Sequence, residues 1–254
     1  MRPLDETALE PGTLVIADLH LDVEDPGTIE PFVAWLGRAR GAPRLIVLGD
    51  LFEFWIGPAQ LGSPHARSVL SAIRDLVASG TAVDVVPGNR DFLLDRHFQD
   101  ASDARVRQDG MVGRTAAGER VLFLHGDELS TFDVGHQRMR RVLRSGPIRW
   151  LAPRLPRRVA YSIARRLRRA SRSATREKEA AVMEMQPDAV RVEAARHRAE
   201  VLVCGHGHVF RDEALEGGLR WVVLDAFGGR NDTLVLSEAA ADFRLAPSTP
   251  AAGA

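Results

Sequence analysis

Short apolar runs alternate with amphipathic stretches through the first half of the chain. Runs at residues 13–17, 45–48, 83–86, 121–124 and 201–204 are rich in β-branched side chains, and each ends at Gly, Pro, Asp or His. This pattern predicts buried strands that end in loops. Between the early runs, residues 29–40 and 67–78 repeat apolar side chains with helical spacing. Strands that alternate with helices are typical of an α/β core built in layers.

Closely spaced strand candidates replace this alternation after residue 204. They lie at residues 209–215, 219–224, 233–237 and 242–245. Since the connections between them are too short for helices, we expect these strands to form a second sheet. The two sheets would then pack face to face as a sandwich.

Residues 131–198 differ in character from the segments on either side. They favour helix, and the run from Arg138 to Arg172 contains no Asp or Glu although arginine is frequent in it. We interpret this segment as a helical cap inserted into a core made of residues 12–130 and 199–246. The last residues, 247–254, are small and rich in proline, and we expect a disordered tail.

Possible metal ligands follow each of the five predicted strands directly. The donors are carboxylate, imidazole and amide groups, which suit divalent ions such as Mn, Fe, Zn or Mg. A single Gly-Asp or His-x-His is usually an ordinary turn. Five such loops at the carboxyl ends of strands, where open α/β sheets place their sites, indicate a metal centre. The residues with donor groups in these loops are Asp18, His20, Asp50, Asn89, Asp91, His125, Asp127, His206 and His208.

The order of these donors resembles the signature of the calcineurin-like metallophosphoesterases. That resemblance implies a four-layer α/β/β/α sandwich that holds two divalent ions. It assigns Asp18, His20, Asp50 and His208 to one ion, and Asp50, Asn89, His125 and His206 to the other. Asp50 would bridge them, because two cations about 3.5–4 Å apart need an anion between them.

Longer motifs resemble one branch of the superfamily, the diphosphatases of lipid A biosynthesis that cleave UDP-2,3-diacylglucosamine. These motifs are ADLHL, GDLFEFWIG, GNRDFLL and HGDELSTFD, together with IRWLAPRLPRR in the predicted cap. Arg90 stands where most superfamily members have histidine. The chain departs from the branch at residues 57–60 and at Gly207, which lies between the last two histidines.

This second resemblance implies an activity, a cofactor and further site residues. The protein would cleave the pyrophosphate of the lipid-linked UDP-sugar with two Mn²⁺ ions, releasing UMP and 2,3-diacylglucosamine 1-phosphate. Asp50, Asn89 and Arg90 would be catalytic. A structural ion pair of Arg90 with Asp91 or Asp127 is the alternative. The implied substrate contacts are Asn89, Arg90, Asp133, Arg168, Ser171, Lys178 and His206.

Other polar residues have less specific patterns. We expect Asp91 to orient a ligand histidine, and Asp127 either to support the ligands or to form a plain turn. Cys204 ends a predicted strand and is expected to be buried rather than to act as a nucleophile. The remaining histidines match no metal pattern and are interpreted as surface or structural residues; they are His65, His97, His136 and His197.

Composition adds an expectation about location. The 254 residues contain 34 basic and 34 acidic side chains and one cysteine, which fits a reducing compartment. The first residues are polar, and no apolar run approaches the about 20 residues needed to cross a bilayer. A charge run is most often a solvated surface, but the run from Arg138 to Arg172 has no acidic residue to neutralise it and so favours an anionic partner. Nucleic acid is one candidate, but the interleaved apolar residues favour an anionic membrane surface.

We therefore expect a cytoplasmic protein that is peripheral on the inner face of the inner membrane and does not bind nucleic acid. The sequence leaves the oligomeric state open, with a monomer as the default. Two alternatives remain for its function. One is a two-metal phosphoesterase that acts on a soluble nucleotide or phosphodiester, which would have no need of an apolar cap. The other is a non-catalytic scaffold, which is disfavoured because all seven candidate ligands are present.

Overall fold

A computed structural model describes residues 4–156, 158–167, 184–237 and 243–246. The strands are β1 Glu6–Ala8, β2 Leu14–Ala17, β3 Arg44–Leu48, β4 Ala82–Val86, β5 Arg105–Val106, β6 Met111–Arg114, β7 Arg120–Phe123, β8 Val201–Cys204, β9 Arg211–Ala214, β10 Arg220–Val223, β11 Thr233–Leu236 and β12 Phe243–Ala246. The helices are α1 Pro26–Arg38, α2 Pro64–Ala78, α3 Arg96–Ser102, α4 Val134–Leu143, α5 Gly146–Leu151, α6 at 158–167 and α7 Pro187–His197.

The strands form two six-stranded sheets. The first sheet has the order β12-β11-β2-β3-β4-β5, and the second has the order β1-β6-β7-β8-β10-β9. Strands β2 to β5 are parallel, so their carboxyl ends lie along one edge. In the second sheet β7 and β8 are also parallel. All five strands predicted to carry ligand loops are therefore present.

The expectation that the last four strands build the second sheet is only half correct. β9 and β10 do join it, but β11 pairs antiparallel with β2 in the first sheet, with Thr233 opposite Ile16. The chain crosses between the sheets in the preceding loop, where the Phe227 N–H donates to the Ala17 carbonyl at 3.2 Å. The alternation of side chains in a strand shows which face is buried, but it does not identify the neighbouring strand.

Three apolar layers hold the sheets and helices together. One lies between the first sheet and α1, α2 and α3; it includes Phe32, Trp35 and Ile73. A second lies between the two sheets, and a third lies between the second sheet and α7. The predicted four-layer α/β/β/α sandwich is confirmed. Burying large side chains such as Phe32 and Trp221 stabilises these layers by about 1.5–3 kcal/mol per side chain.

Some elements lie outside the predicted pattern. β1 precedes residue 12 and pairs with β6 at the edge of the second sheet. Its sequence, Glu-Thr-Ala, is too short and polar to show a strand pattern. α7 falls within the range predicted as the cap, yet it packs Val190 and Ala194 against the second sheet. The division into core, cap and tail remains a prediction, and the tail at 247–254 lies outside the described residues.

The helices α4, α5 and α6 lie over the carboxyl edge of the first sheet. Ala160 of α6 packs against Phe54 and Ile56, which follow β3. No helix in the described ranges is long and apolar enough to cross a membrane.

Candidate metal centre and active site

The five ligand loops meet at one edge of the sandwich. Donor atoms of Asp18, His20 and His208 form one group, and those of Asp18, Asp50 and His125 form another; within each group they lie within 4.8 Å of one another. The Nε2 atoms of His20 and His208 are 3.1 Å apart. Two ring nitrogens at this distance can share a hydrogen bond, and together with Asp18 they could also hold one cation.

The second histidine pair completes the cluster. His125 Nδ1 lies 3.0 Å from the Leu48 carbonyl, so this nitrogen donates, and Nε2 is left to face the site. His125 Nε2 is 3.0 Å from Asn89 Oδ1, and the rings of His125 and His206 are 5.0 Å apart. The structure thus brings all seven predicted metal ligands together, although their role as ligands remains a prediction.

Several of these residues have left-handed backbone conformations. The φ angles of Asp18, His20, Asp50, His206 and His208 lie between 49° and 65°. Such a conformation costs about 1 kcal/mol or more for a residue with a Cβ atom. Backbone strain concentrated at predicted ligands indicates that the fold holds these side chains for function.

Glycines allow the ligand loops to approach each other closely. A Cβ atom on Gly49 would lie 2.2 Å from His125 Nδ1, and one on Gly88 would lie 2.1 Å from Asp50 Oδ1. On Gly205 it would lie 2.6 Å from Asp18 Oδ2. No other residue fits at these positions without moving a predicted ligand.

The electrostatics of the cluster suit bound cations. Burial raises the pKa of Asp50 to about 7, with Asp91 and Asp18 adding to the rise. Burial lowers the pKa of both His20 and His206 to about 3, which keeps these imidazoles neutral. Asp18 Oδ1 and His20 Nδ1 are buried and have no hydrogen-bond partner among the described residues. His125 differs: burial would lower its pKa, but Asp50 and Asp18 raise it to about 9. The crowded carboxylates, the neutral imidazoles of His20 and His206 and the unsatisfied donor atoms together fit a site for divalent ions.

Asp91 does not orient a histidine, in contrast to our expectation. Its buried carboxylate accepts hydrogen bonds from the backbone N–H groups of Gly88 at 2.7 Å and Leu51 at 2.8 Å. The Phe52 N–H is a further donor at 3.4 Å. The loops after β3 and β4 both turn their amides towards this carboxylate, so Asp91 joins the two loops.

Glu53 is a site residue that the sequence interpretation missed. Arg90 Nη1 donates to Glu53 Oε1 at 2.7 Å, and Arg90 Nε lies 3.4 Å from Asp50 Oδ2. Arg90 therefore pairs with Glu53 rather than with Asp91 or Asp127. Glu53 Oε2 also lies 3.6 Å from His20 Nδ1. An acidic residue between Phe52 and Phe54 in an apolar stretch was the available signal, since a buried charge needs a partner.

Asp127 and Asp133 lie where the loop after β7 meets α4. Asp127 is fully buried, and Arg140 Nε donates to its Oδ2 at 2.7 Å. Burial alone would raise the pKa of Asp127, but Arg144, His125 and Arg140 lower it, so the carboxylate is charged. Asp133 caps α4 by accepting the His136 N–H at 2.9 Å. The substrate contact predicted for Asp133 stays a prediction, and Arg168, Ser171 and Lys178 lie outside the described residues.

Cys204 is buried, as expected. Trp221 Nε1 donates to its sulfur at 3.5 Å, and burial raises the pKa of the thiol to about 12. The thiol therefore stays protonated and packs in the layer beneath α7.

An apolar cavity of about 340 Å³ begins beside the metal ligands. Its polar members are Glu53, Asn89 and Arg90. The other lining residues come from the loops after β3 and β4 and from α4, α5 and α6 with their connections; they are Phe54, Trp55, Ile56, Phe92, Leu93, Met139, Leu143, Ile148, Leu151, Ala152, Leu155, Ala160, Ile163, Ala164 and Leu167.

This sandwich, with a cluster of Asp, His and Asn at the meeting of its strand ends, defines a metal-dependent phosphoesterase. Residues 13–210 match the family model for calcineurin-like phosphoesterases, and the chain belongs to this family. It is accordingly a hydrolase of phosphorus-containing substrates, and the family implies divalent metal ions.

Within the family, the chain is similar to proteins named UDP-2,3-diacylglucosamine hydrolase. One from Pseudomonas putida is 41% identical over 196 residues, covering 77% of this chain and 81% of the relative. One from Pseudomonas entomophila is 39% identical over 238 residues, covering 92% of this chain and 98% of the relative. A third, from Pseudomonas paraeruginosa, is 38% identical over 206 residues, covering 81% of this chain and 85% of the relative.

Proposed function

We propose that the protein hydrolyses the pyrophosphate of UDP-2,3-diacylglucosamine, giving UMP and 2,3-diacylglucosamine 1-phosphate. The observation that carries this proposal is the apolar cavity that begins at Asn89 and Arg90. A substrate with a pyrophosphate beside two acyl chains would place charge at the ligands and hydrocarbon in the cavity. A soluble nucleotide or phosphodiester would leave the cavity without an occupant. The names of the relatives support the same substrate.

The predicted ligand sets divide between two ions. Asp18, His20, Asp50 and His208 would hold one, and Asp50, Asn89, His125 and His206 the other. We propose Mn²⁺, which oxygen and imidazole donors accommodate well. When bound, such ions activate water and neutralise charge on a phosphoryl group.

Arg90 binds the pyrophosphate in this proposal. Arg90 lines the cavity, and its side chain is 30% exposed. Glu53 holds it in place, and a planar guanidinium can donate two parallel hydrogen bonds to phosphate oxygens. Asn89, Asp133 and His206 are proposed as further substrate contacts, together with Arg168, Ser171 and Lys178.

The leaving group needs no general acid. Attack at the α-phosphorus, in line with the departing oxygen, releases a sugar phosphate monoester whose second pKa is about 6. It is therefore a stable anion at neutral pH. This agrees with the absence of a lysine or unpaired acid among the described residues that line the cavity.

We also propose that the cap contacts the cytoplasmic surface of the inner membrane. Trp150 and Val159 are exposed there, next to exposed Arg154 and Arg158. The Arg154 guanidinium lies 4.3 Å from the centre of the Trp150 ring. Basic residues near an anionic bilayer contribute about 1 kcal/mol each. Co-flotation with vesicles that contain anionic lipid, and not with neutral vesicles, is the expected result.

The assay that tests the activity uses purified protein on detergent-dispersed UDP-2,3-diacylglucosamine, with and without Mn²⁺. We expect UMP release that requires the metal and is lost in Asp50→Ala. The lipid substrate should be cleaved far faster than bis-p-nitrophenyl phosphate. If bis-p-nitrophenyl phosphate is cleaved faster than the lipid, the lipid assignment fails and the protein is instead a phosphoesterase of soluble substrates.

A further inference from the structure

α4 presents two kinds of surface to the rest of the molecule. Met139 and Leu143 line the apolar cavity. On another face, Gln137 Nε2 donates to the Asp127 carbonyl at 2.8 Å, and Arg140 donates to the Asp127 carboxylate. These polar contacts all reach the loop that follows His125. Part of the arginine-rich cap thus faces the metal loops instead of solvent.

Arg144 ends this polar row and contacts a second ligand loop. It is the C-terminal capping residue of α4. Its Nη2 donates to the carbonyls of Pro87 and Gly88, each at 3.1 Å, and lies 3.6 Å from Asp127 Oδ1. Asp127, in the loop after β7, is therefore the counter-ion of Arg144, which also contacts the loop after β4.

The Gly88 peptide is held from both sides. Its N–H donates to Asp91 at 2.7 Å, while its carbonyl accepts from Arg144. On the inner side the loop lies against Asp50, since a Cβ atom on Gly88 would be 2.1 Å from Asp50 Oδ1. Asn89 is the next residue, and its Oδ1 is 3.0 Å from His125 Nε2. A tilt of the Gly88 carbonyl would move Asn89 away from this position.

We infer that Arg144 is a positioning residue, which holds Asn89 and Arg90 in place by fixing the Pro87 and Gly88 carbonyls from the side of the cap. It acts through the loop, since its hydrogen bonds are to backbone oxygens. The inference rests on the proposed metal-dependent hydrolysis, but it does not depend on the lipid substrate.

A different role would give different kinetics. If Arg144 only fastened α4 over the cavity, its loss would raise KM for the diacylated substrate alone. Turnover of a small substrate and the affinity for Mn²⁺ would then stay at wild-type values. A residue that positions Asn89 should instead affect metal binding and the turnover of both substrates.

The test compares Arg144→Gln and Arg144→Lys with Arg141→Gln, a matched control on the exposed side of α4. We would measure kcat and KM for bis-p-nitrophenyl phosphate and for UDP-2,3-diacylglucosamine, and Mn²⁺ affinity by calorimetry. In Arg144→Gln we expect kcat for both substrates to fall about 10–100-fold and Mn²⁺ affinity to weaken. Arg144→Lys should recover part of the loss, because an ammonium group can reach the same carbonyls. Arg141→Gln should match the wild type.

Wild-type Mn²⁺ affinity and wild-type turnover of the small substrate in Arg144→Gln would overturn the inference. If that variant has no cooperative thermal transition, the same two measurements on Arg144→Lys test the inference. We then expect a several-fold loss of both Mn²⁺ affinity and small-substrate turnover, and wild-type values would overturn the inference. If the wild type cleaves bis-p-nitrophenyl phosphate but not the lipid, the proposed substrate fails while this comparison still stands. If it cleaves neither, the Mn²⁺ affinities alone decide.

Discussion

Glu53 accepts a hydrogen bond from Arg90 at 2.7 Å, and both side chains border the cavity and the metal cluster. The other carboxylate oxygen of Glu53 lies 3.6 Å from His20 Nδ1. One buried carboxylate therefore joins a predicted metal ligand to the arginine proposed to bind phosphate. It orients the guanidinium of Arg90, because a charged acceptor fixes an arginine more firmly than a neutral one, and its charge lies beside the His20 imidazole without a direct hydrogen bond.

Replacing Glu53 by Gln should lower kcat/KM for the lipid substrate about 10–100-fold and weaken Mn²⁺ binding. The amide keeps the shape of the side chain but loses the charge that holds Arg90. Glu213→Gln, on the exposed edge strand β9, is the matched control and should behave as the wild type. Steady-state kinetics and calorimetry measure both effects. Unchanged Mn²⁺ affinity and kinetics in Glu53→Gln would show that Glu53 only fills space.

Gly88→Ala should abolish metal-dependent hydrolysis. The added Cβ atom would lie 2.1 Å from Asp50 Oδ1 and 2.4 Å from the Asp50 nitrogen, so either the loop or Asp50, the proposed bridging ligand, must move. Gly37→Ala is the control, because nothing lies within 4 Å of a Cβ atom there. That change in α1 should stabilise the protein by about 0.5–1 kcal/mol without loss of activity. Activity assays and thermal unfolding separate the two results; an active Gly88→Ala protein would contradict the packing described.

Asp50→Asn should raise the melting temperature of the metal-free protein. Burial raises the pKa of Asp50 to about 7, and Asp91 and Asp18 add to the rise, so its charged form is costly when no cation is bound. The same change removes the proposed bridging ligand, and Mn²⁺ should then no longer raise the melting temperature as it does in the wild type. Thermal unfolding with EDTA and with Mn²⁺ measures both. A metal-free variant that melts below the metal-free wild type would refute this account.

Ala164→Trp should raise KM for the diacylated substrate by on the order of tenfold, since overpacking costs about 1–3 kcal/mol. Ala164 lines the cavity, and an indole there would take space proposed for an acyl chain. Turnover of bis-p-nitrophenyl phosphate should not change. The same substitution at Ala78, exposed at the end of α2, is the control. An unchanged KM for the lipid would place the acyl chains elsewhere.

Cys204 should resist thiol reagents while the protein is folded. Burial raises its pKa to about 12, and only the thiolate reacts, so native protein at pH 8 should react far more slowly than protein in guanidinium chloride. As the folded pKa lies above the unfolded value, the folded state retains the proton and stability should fall as pH rises above about 9. The chain has one cysteine, so the colorimetric reaction with Ellman's reagent reports this thiol alone. Equal rates in both states would contradict its burial.

Much of the site could be predicted because its ligands occupy local positions in the chain. Asp18 and His20 follow β2, Asp50 follows β3, and Asn89 follows β4. Parallel strands bring their carboxyl ends to one edge, so the identity of residues just after each strand was enough to predict a shared metal centre. The apolar patterns within the strands and helices likewise determined the layered fold.

Tertiary structure alone decided which distant groups complete the site. β11 lies beside β2 because the loop before it crosses between the sheets, and side-chain alternation carries no information about that choice. The pairing of Glu53 with Arg90, the amides that donate to Asp91, and the reach of Arg144 to Gly88 depend on contacts between residues far apart in sequence. The sequence by itself determined which residues could bind metal, since that depends on side-chain chemistry and on strand ends. Only folding decided what holds those residues in place, since hydrogen bonds between loops form when the sheets and the cap have packed together.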